Sequence, residues 1–317
     1  MAHDPDALFP SGSTTRRGLF SAFGRRAAQS LPDVPDVLAP RRTEDFFDEE
    51  PPVFVEPLLS GEDFVAEVYA SSKETGMHIW WLGQSGFLVQ VAGENILLDP
   101  YLSETMEKRD AATETEYERL TGLVVEPRLL SFVDAVVASN ARLDHLDPGT
   151  LPHVLSGTAS FVCAAGSEQL AAKRSGRRPD AALRAGDHAE LGGFILQAVP
   201  AHHVDAPESF GCVIRSGAYA LYYAGDSRRV QGMAEAVAPH GVDVALVPIN
   251  GKHGNMDGAD AARLAYESGA RIAIPCHYEM FRGDTAGASR FVAECVRIGL
   301  EYRLPRAGER VTIDYGY

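Results

Sequence analysis

The sequence predicts a layered α/β fold, on three observations. Short apolar runs of strand length recur along the chain, segments of helical periodicity separate several of them, and glycine-bearing turns join others into hairpins. Strands interleaved with helices in this way argue for packed layers rather than an all-β barrel. The 317 residues are 45% apolar and 9% aromatic, and the apolar ones are spread evenly from about Phe54 onward, which suffices for one large core.

Residues 1–52 are rich in Pro, Asp, Glu and Arg, and Pro32, Pro35, Pro40, Pro51 and Pro52 break any helix, so a disordered or extended arm is expected. Inside it, Thr15-Arg16-Arg17-Gly18-Leu19-Phe20 resembles the start of a twin-arginine export signal. Gly24, Arg25 and Arg26 interrupt the apolar stretch of about 7–15 residues that such a signal needs. The competing reading is a short basic amphipathic segment that docks a protein partner.

Residues 53–76 read as a helical lead-in, with Phe64, Val65, Val68 and Tyr69 on one face. The domain proper, 77–317, opens with Ile79-Trp80-Trp81-Leu82 and Phe87-Leu88-Val89-Gln90-Val91, joined as a hairpin across Gly83-Gln84-Ser85-Gly86. Asn95-Ile96-Leu97-Leu98 is a third strand that ends in Asp99-Pro100, and the polar stretch from Ser103 to about Thr121 reads as a surface excursion. Further strands are expected at 135–138, 161–163, 194–198, 212–214, 220–223, 244–247 and 272–274, with helices at 260–268 and 289–298.

The formal charge of −15 excludes nucleic acid as a partner, because binding it requires Lys and Arg to neutralise phosphates. No stretch approaches the roughly 20 continuous apolar residues of a membrane span, so no membrane partner is expected either. Cys163, Cys212, Cys276 and Cys295 are scattered without a Cys-x-x-Cys pair, which suggests neither a thiolate cluster nor a disulfide framework. A reducing, cytoplasmic setting fits best, with export as the alternative.

Four strand-end loops carry His or Asp: Asn140–Asp147, Pro200-Ala201-His202-His203, Ala224-Gly225-Asp226-Ser227 and Pro275-Cys276-His277-Tyr278. A lone His at a strand end is more often a hydrogen-bonding residue than a ligand, but the four loops in this order are specific. Together with Trp81-Leu82-Gly83-Gln84-Ser85-Gly86-Phe87, Leu98-Asp99-Pro100-Tyr101, Leu143-Asp144-His145-Leu146-Asp147-Pro148 and Pro248-Ile249-Asn250-Gly251, they make the chain similar to the metallo-β-lactamase superfamily, and within it to the L-ascorbate-6-phosphate lactonase-like branch, from about residue 77 onward. That resemblance implies a four-layer αβ/βα sandwich with two metals at the shared edge of its sheets. One position would be built from Asp144, His145 and His277 with Asp226 bridging. The other would need two motif histidines, where this chain has Asn140 and Arg142, together with His203, or its neighbour His202, and Asp226. The resemblance also implies a homo-oligomer.

Asn140 offers only a neutral amide oxygen in place of imidazole, and Arg142 has no lone pair to give. A fixed guanidinium would repel a divalent ion by about 8 kcal/mol at 4 Å and an effective dielectric of 20. The second position is therefore expected to hold no metal, with Arg142 pairing with Asp226 or clamping an anionic substrate group. A solvent-facing Arg on a drifted loop is the competing reading.

Three functions compete. The first is a one-metal hydrolase of a small anionic lactone, ester, amide or phosphoester. In it a divalent ion (zinc first, manganese or iron as alternatives) sits on Asp144, His145, Asp226 and His277, His203 moves a proton, and Arg142, Asn140, His202, His253 and Lys252 contact substrate. The second is a catalytically altered or inactive binding protein that keeps the fold. The third is a mononuclear redox-metal enzyme. Tyr278 and Glu279 are candidates for orienting the imidazoles, while Gln84 and Asp99 match positions near the site.

Overall fold

The computed structural model of the chain describes residues 54–110 and 117–315. The arm, with Arg16-Arg17, lies outside the described residues. The strands are β1 (Met77–Gly83), β2 (Gly86–Val91), β3 (Glu94–Leu98), β4 (Ala135–Ala138), β5 (Ser160–Ala164), β6 (Ala181–Leu183), β7 (His188–Leu191), β8 (Phe194–Pro200), β9 (Phe210–Ser216), β10 (Tyr219–Tyr223), β11 (Val244–Pro248), β12 (Ile272–Cys276), β13 (Glu301–Tyr302) and β14 (Arg310–Ile313). They form two seven-stranded sheets, ordered β14-β1-β2-β3-β4-β5-β6 and β13-β12-β11-β10-β9-β8-β7.

Each sheet is a meander that turns parallel. In the first, β1, β2 and β3 are antiparallel and β3 through β6 parallel; in the second, β7 through β10 are antiparallel and β10 through β13 parallel. The two halves thus share a topology that no sequence repeat betrays.

The helices are α1 (Gly61–Ser71), α2 (Thr105–Asp110), α3 (Leu151–Val154), α4 (Glu168–Ser175), α5 (Met233–Val237), α6 (Gly258–Glu267) and α7 (Ser289–Ile298). α1 sets Phe64 edge-on to Trp80 and α4 meets β5, on the outer side of the first sheet. α5 packs on β8, and α6 on β11 and β12, with α7 alongside α6. Between the sheets, Trp81 stacks on Tyr278 with ring centroids 4.4 Å apart, and Phe87 meets Tyr223 edge-on. The result is a four-layer αβ/βα sandwich. Every residue of β1, β2, β4 and β11 is buried, which is why these strands read as continuous apolar runs instead of alternating ones.

Three expectations need correcting. Tyr69 was placed on the buried face of α1, yet it is 56% exposed; the buried residues are Phe64, Val68 and Ser71, because the helix is rolled so that Ser71 can reach Gln90 Oε1. The stretch after Ser103 is not simply a surface excursion: Met106, Tyr117 and Leu120 are buried, and the first two join Tyr101, Met280 and Phe281 in a small apolar cluster. Third, β6, β7 and α4 were not foreseen. β6 is a three-residue Ala-Ala-Leu edge strand too short to stand out, β7 is a half-exposed edge strand, and α4 buries only Ala171 and Ser175, so none shows an apolar run of full strand or helix length.

The loops after β3, β4, β8, β10, β11 and β12 leave the carboxyl ends of their strands toward one another, where polar side chains can converge while the sheets hold them still. No helix among the described residues is long and apolar enough to cross a membrane.

Candidate metal centre

Asp226 is the middle of the site. It follows β10 through Gly225, whose φ of +60° and close approach to the Phe210 carbonyl (3.0 Å from where a Cβ would stand) admit no larger residue without strain. Its carboxylate is reached by His277 Nε2 on Oδ1 at 2.8 Å and by His145 Nε2 on Oδ2 at 3.0 Å. Asn255 Nδ2 donates to Oδ1 at 3.1 Å. Asp144, His145, Asp226 and His277 are all buried, and each offers a ligand atom within 4.8 Å of the others. The structure therefore brings together the four ligands that the sequence assigned to the surviving position.

Whether these residues fit an ion is a matter of unpaired atoms. His145 Nε2 and Asp226 Oδ2 are buried 3.0 Å apart with no other hydrogen-bond partner, so in the metal-free chain only a proton between them satisfies both, and a cation can take that proton's place. The donor set of two imidazoles and two carboxylates suits zinc, manganese or iron.

The imidazoles are oriented from behind. His145 Nδ1–H donates to Asp99 Oδ2 at 2.5 Å, which leaves Nε2 for the ion. Asp99 is itself fixed by the Ser139 backbone N–H at 2.6 Å and by Tyr223 Oη at 2.6 Å. It does more than set a turn. His277 has Ser85 Oγ beside Nε2 at 2.5 Å and Asn250 Nδ2 3.4 Å from Nδ1. Of the six non-glycine residues with left-handed φ among the described residues, five lie in these loops: Gln84, Asp99, His253, His277 and Glu279. Such conformations cost of order 1–3 kcal/mol each and persist where surrounding contacts impose them.

His203 has the opposite tautomer. The Asp205 backbone N–H donates to His203 Nδ1 at 3.2 Å, so the neutral ring carries its proton on Nε2, which faces Asp226 Oδ2 at 3.8 Å. In the metal-free chain a ring held this way turns its N–H toward Asp226. Burial also lowers its pKa, against the pull of Asp226.

Asn140 and Arg142 stand where the two motif histidines of a second metal position would be. Arg142 turns inward, its Nε 3.4 Å from Asp144 Oδ1 and 3.7 Å from Asp226 Oδ2. Burial works against its charge, but the two carboxylates outweigh that and raise its pKa. Asn140 spends its amide oxygen on the Arg142 backbone N–H at 2.9 Å. The loop is anchored from outside by Arg174 Nη1 on the Ala141 carbonyl at 2.6 Å, and by Asp147, which accepts from Ser103 and Thr105.

A cleft of about 260 Å³ opens beside Arg142, lined also by Met106, Tyr117, Leu143, Asp144 and Arg174. His202, His253 and Lys252, assigned to substrate from the sequence, are not among its lining residues. His202 is exposed, with its backbone N–H on Ser227 Oγ; Lys252 is exposed and donates to the Gly283 carbonyl; His253 turns toward Asp284 at 3.5 Å. The Tyr278 ring stacks on Trp81 and its hydroxyl donates to the Pro305 carbonyl. The main chain of Glu279 is bonded to Thr121 and Thr285.

Sequence reading missed Asp284, and gave Asn255 and the Ser85 hydroxyl no role at the site. Asp284 lies in a loop with no apolar run to mark it, yet it is 1% exposed, and burial pushes its carboxyl pKa up. Gln84 Nε2 joins it to Asp144, at 3.3 and 3.0 Å.

The protonation of the ligands sets a pH dependence. Burial opposes charge on His145, but Asp226, Asp99 and Asp144 raise its pKa well above the usual value; burial likewise opposes charge on His277, and Asp226 raises it. In the metal-free chain these imidazoles hold protons, a stabilisation fully present below the unfolded value of about 6.5 and lost as pH rises through the folded one. An ion must displace those protons, so binding strengthens with pH. The rise in melting temperature on adding zinc is therefore expected to grow between about pH 5.5 and pH 8. A shift that shrinks over this range would contradict the assignment.

Two similar mixed sheets, packed face to face with an Asp/His ligand set at their shared strand ends, define the metallo-β-lactamase class of α/β proteins. The chain belongs to the beta-lactamase superfamily: the family model described as the beta-lactamase superfamily domain matches residues 78–277. A UPF0173 metal-dependent hydrolase of Aeropyrum pernix is 29% identical over 255 residues, covering 74% of this chain and 97% of the relative. Igni18, a metallo hydrolase from Ignicoccus hospitalis, shares the fold with a TM-score of 0.59 at 24% identity, over 76% of this chain and all (100%) of its own. CmlA, a diiron beta-hydroxylase from Streptomyces venezuelae, does so with a TM-score of 0.58 at 14% identity, over 76% of this chain and 54% of its own.

Proposed function

We propose that the protein is a metal-dependent hydrolase that works with a single ion on Asp144, His145, Asp226 and His277, zinc in the first instance, and acts on a small anionic lactone, ester, amide or phosphoester. The observation that carries this reading is the inward guanidinium of Arg142, set against Asp144 and Asp226 on the side where a second cation would otherwise sit. The names of the curated relatives support the reaction class.

When bound, the ion supplies Lewis acidity and a water acidified toward neutrality. The chain supplies the rest. Asp99 holds His145 in the ligating tautomer. His203, neutral at neutral pH, holds a proton on Nε2 for a leaving group or a developing oxyanion. Arg142 spends its Nε edge on the two carboxylates. Among the described residues its Nη groups make no hydrogen bond, leaving them for an anionic substrate group in the cleft that Arg142 lines. Met106, Tyr117 and Leu143 give that cleft an apolar wall for the substrate body.

The test is a panel of lactones, esters, amides and phosphoesters, each as an anionic compound and a neutral analogue, assayed with zinc-, manganese- and iron-loaded protein. Arg142→Gln should lower kcat/KM for the anionic member of the best pair by about 30–5,000-fold more than for the neutral one, as loss of a buried charge pair costs about 2–5 kcal/mol. Equal losses on both would remove Arg142 from substrate recognition. Failure of every loaded form to hydrolyse any member would remove the hydrolase reading.

A further inference from the structure

We propose that Asp284 is a positioning residue for the metal centre, one buried carboxylate that fixes the amides of Gln84 and Asn250, each lying against a different ligand of the ion. The proposal rests on the metal-centre reading above. Asp284 Oδ2 accepts from Gln84 Nε2 at 3.3 Å, and the same nitrogen donates to Asp144 Oδ2 at 3.0 Å. Asp284 Oδ1 accepts from Asn250 Nδ2 at 2.9 Å, and that amide stands 3.4 Å from His277 Nδ1.

A side-chain amide presents two donors at one end and an acceptor at the other, and alone it can sit either way round. An ionised carboxylate only accepts. Placed between two amides, Asp284 draws both NH2 ends toward itself, which commits the second N–H of Gln84 to Asp144 and fixes the Asn250 amide behind His277. Gln84 is tied to the centre by its main chain too, since its carbonyl accepts the His277 backbone N–H at 3.1 Å. Trp81 Nε1 donates to the same carbonyl at 3.0 Å, which holds Gln84 in its left-handed conformation.

Asp284 thus stands one side chain behind both Asp144 and His277, as Asp99 stands directly behind His145. Groups that fix ligands in this way set metal affinity, because ligands already aimed at the ion lose less freedom on binding it. If Asp284 served only to hold its own loop, its removal would lower the melting temperature of the metal-free chain and leave affinity alone.

Asp284→Asn is close to isosteric and replaces one acceptor oxygen with an NH2 group that faces the NH2 of Gln84 or of Asn250. One amide must then turn over, and a turned Gln84 sets its oxygen against the Asp144 carboxylate. The measurement is zinc affinity by competition with a chromophoric chelator, on the full chain, alongside the melting temperature of the zinc-free form. Affinity is expected to fall about 10–100-fold, with the zinc-free melting temperature within about 2 °C of wild type. Affinity within about twofold of wild type overturns the proposal, as does a loss of affinity matched by melting of the zinc-free form. Should Asp284→Asn not fold, Gln84→Leu and Asn250→Ala each remove one arm, and unchanged affinity in both overturns it equally. Wild-type protein that binds no zinc brings down the metal-centre reading and this proposal with it, whereas equal binding by wild type and variant brings down this proposal alone.

Discussion

Replacing Asp226 with alanine is expected to empty the metal centre. Zinc measured by elemental analysis after dialysis should fall from about one ion per chain to background, a loss of at least about a thousandfold in affinity, or about 4 kcal/mol. The reason is position. Asp226 is the group that both His145 and His277 approach, and it supplies one of the two carboxylate charges in the cluster. Without it, two imidazoles and Asp144 remain beside the guanidinium of Arg142, whose charge repels a cation. Asp226→Asn should behave nearly the same way, since it keeps the shape and removes the charge, and the comparison separates electrostatics from packing. His202→Ala, at an exposed ring, should leave the zinc content of the protein unchanged. Full zinc retention in Asp226→Ala would show that the ion sits elsewhere.

The converse change should add an ion. A chain carrying Asn140→His together with Arg142→His is expected to hold about two zinc ions where wild type holds about one. The pair restores two imidazoles and removes a guanidinium that opposes a divalent ion by about 8 kcal/mol at 4 Å and an effective dielectric of 20. The second ion should be the weaker of the two. Its third imidazole, His203, is held by the Asp205 N–H in the tautomer that keeps a proton on Nε2, and that contact must give way before Nε2 can ligate. Arg142→His alone lacks one imidazole and should gain less. If the pair still holds one ion at saturating zinc, the guanidinium is not what excludes the second.

Much of the fold was legible because the central strands are covered on both faces. β4 was expected at its observed bounds and β1, β2 and β11 within a few residues, since continuous burial demands continuous apolar runs. The α7 span was legible for a similar reason, as Phe291, Val292 and Cys295 are buried along it. The misses share the opposite cause. β7 lies at a sheet edge with two of its four residues exposed, and α4 offers a polar surface. Tyr69 satisfied the helical period of α1, yet it faces solvent beside Phe132, at 4.9 Å between ring centroids. Periodicity gives the spacing of a face and not its direction.

At the site, the four ligand positions and the loss of two motif histidines could be read from residue types alone, because ligand chemistry belongs to the residue wherever it stands. What Arg142 does could not, since a guanidinium in a loop reads the same whether it turns inward or outward. Nor could the place of Asp284 behind Gln84 and Asn250. A guanidinium's direction and an amide's orientation are set by partners brought from other strands and loops, as Asp226 meets Arg142 Nε at 3.7 Å and Asp284 meets Asn250 Nδ2 at 2.9 Å. The sequence by itself determined the class of protein and which atoms could touch an ion. Only the tertiary structure decided which way those atoms face, because that depends on neighbours that folding alone puts in contact.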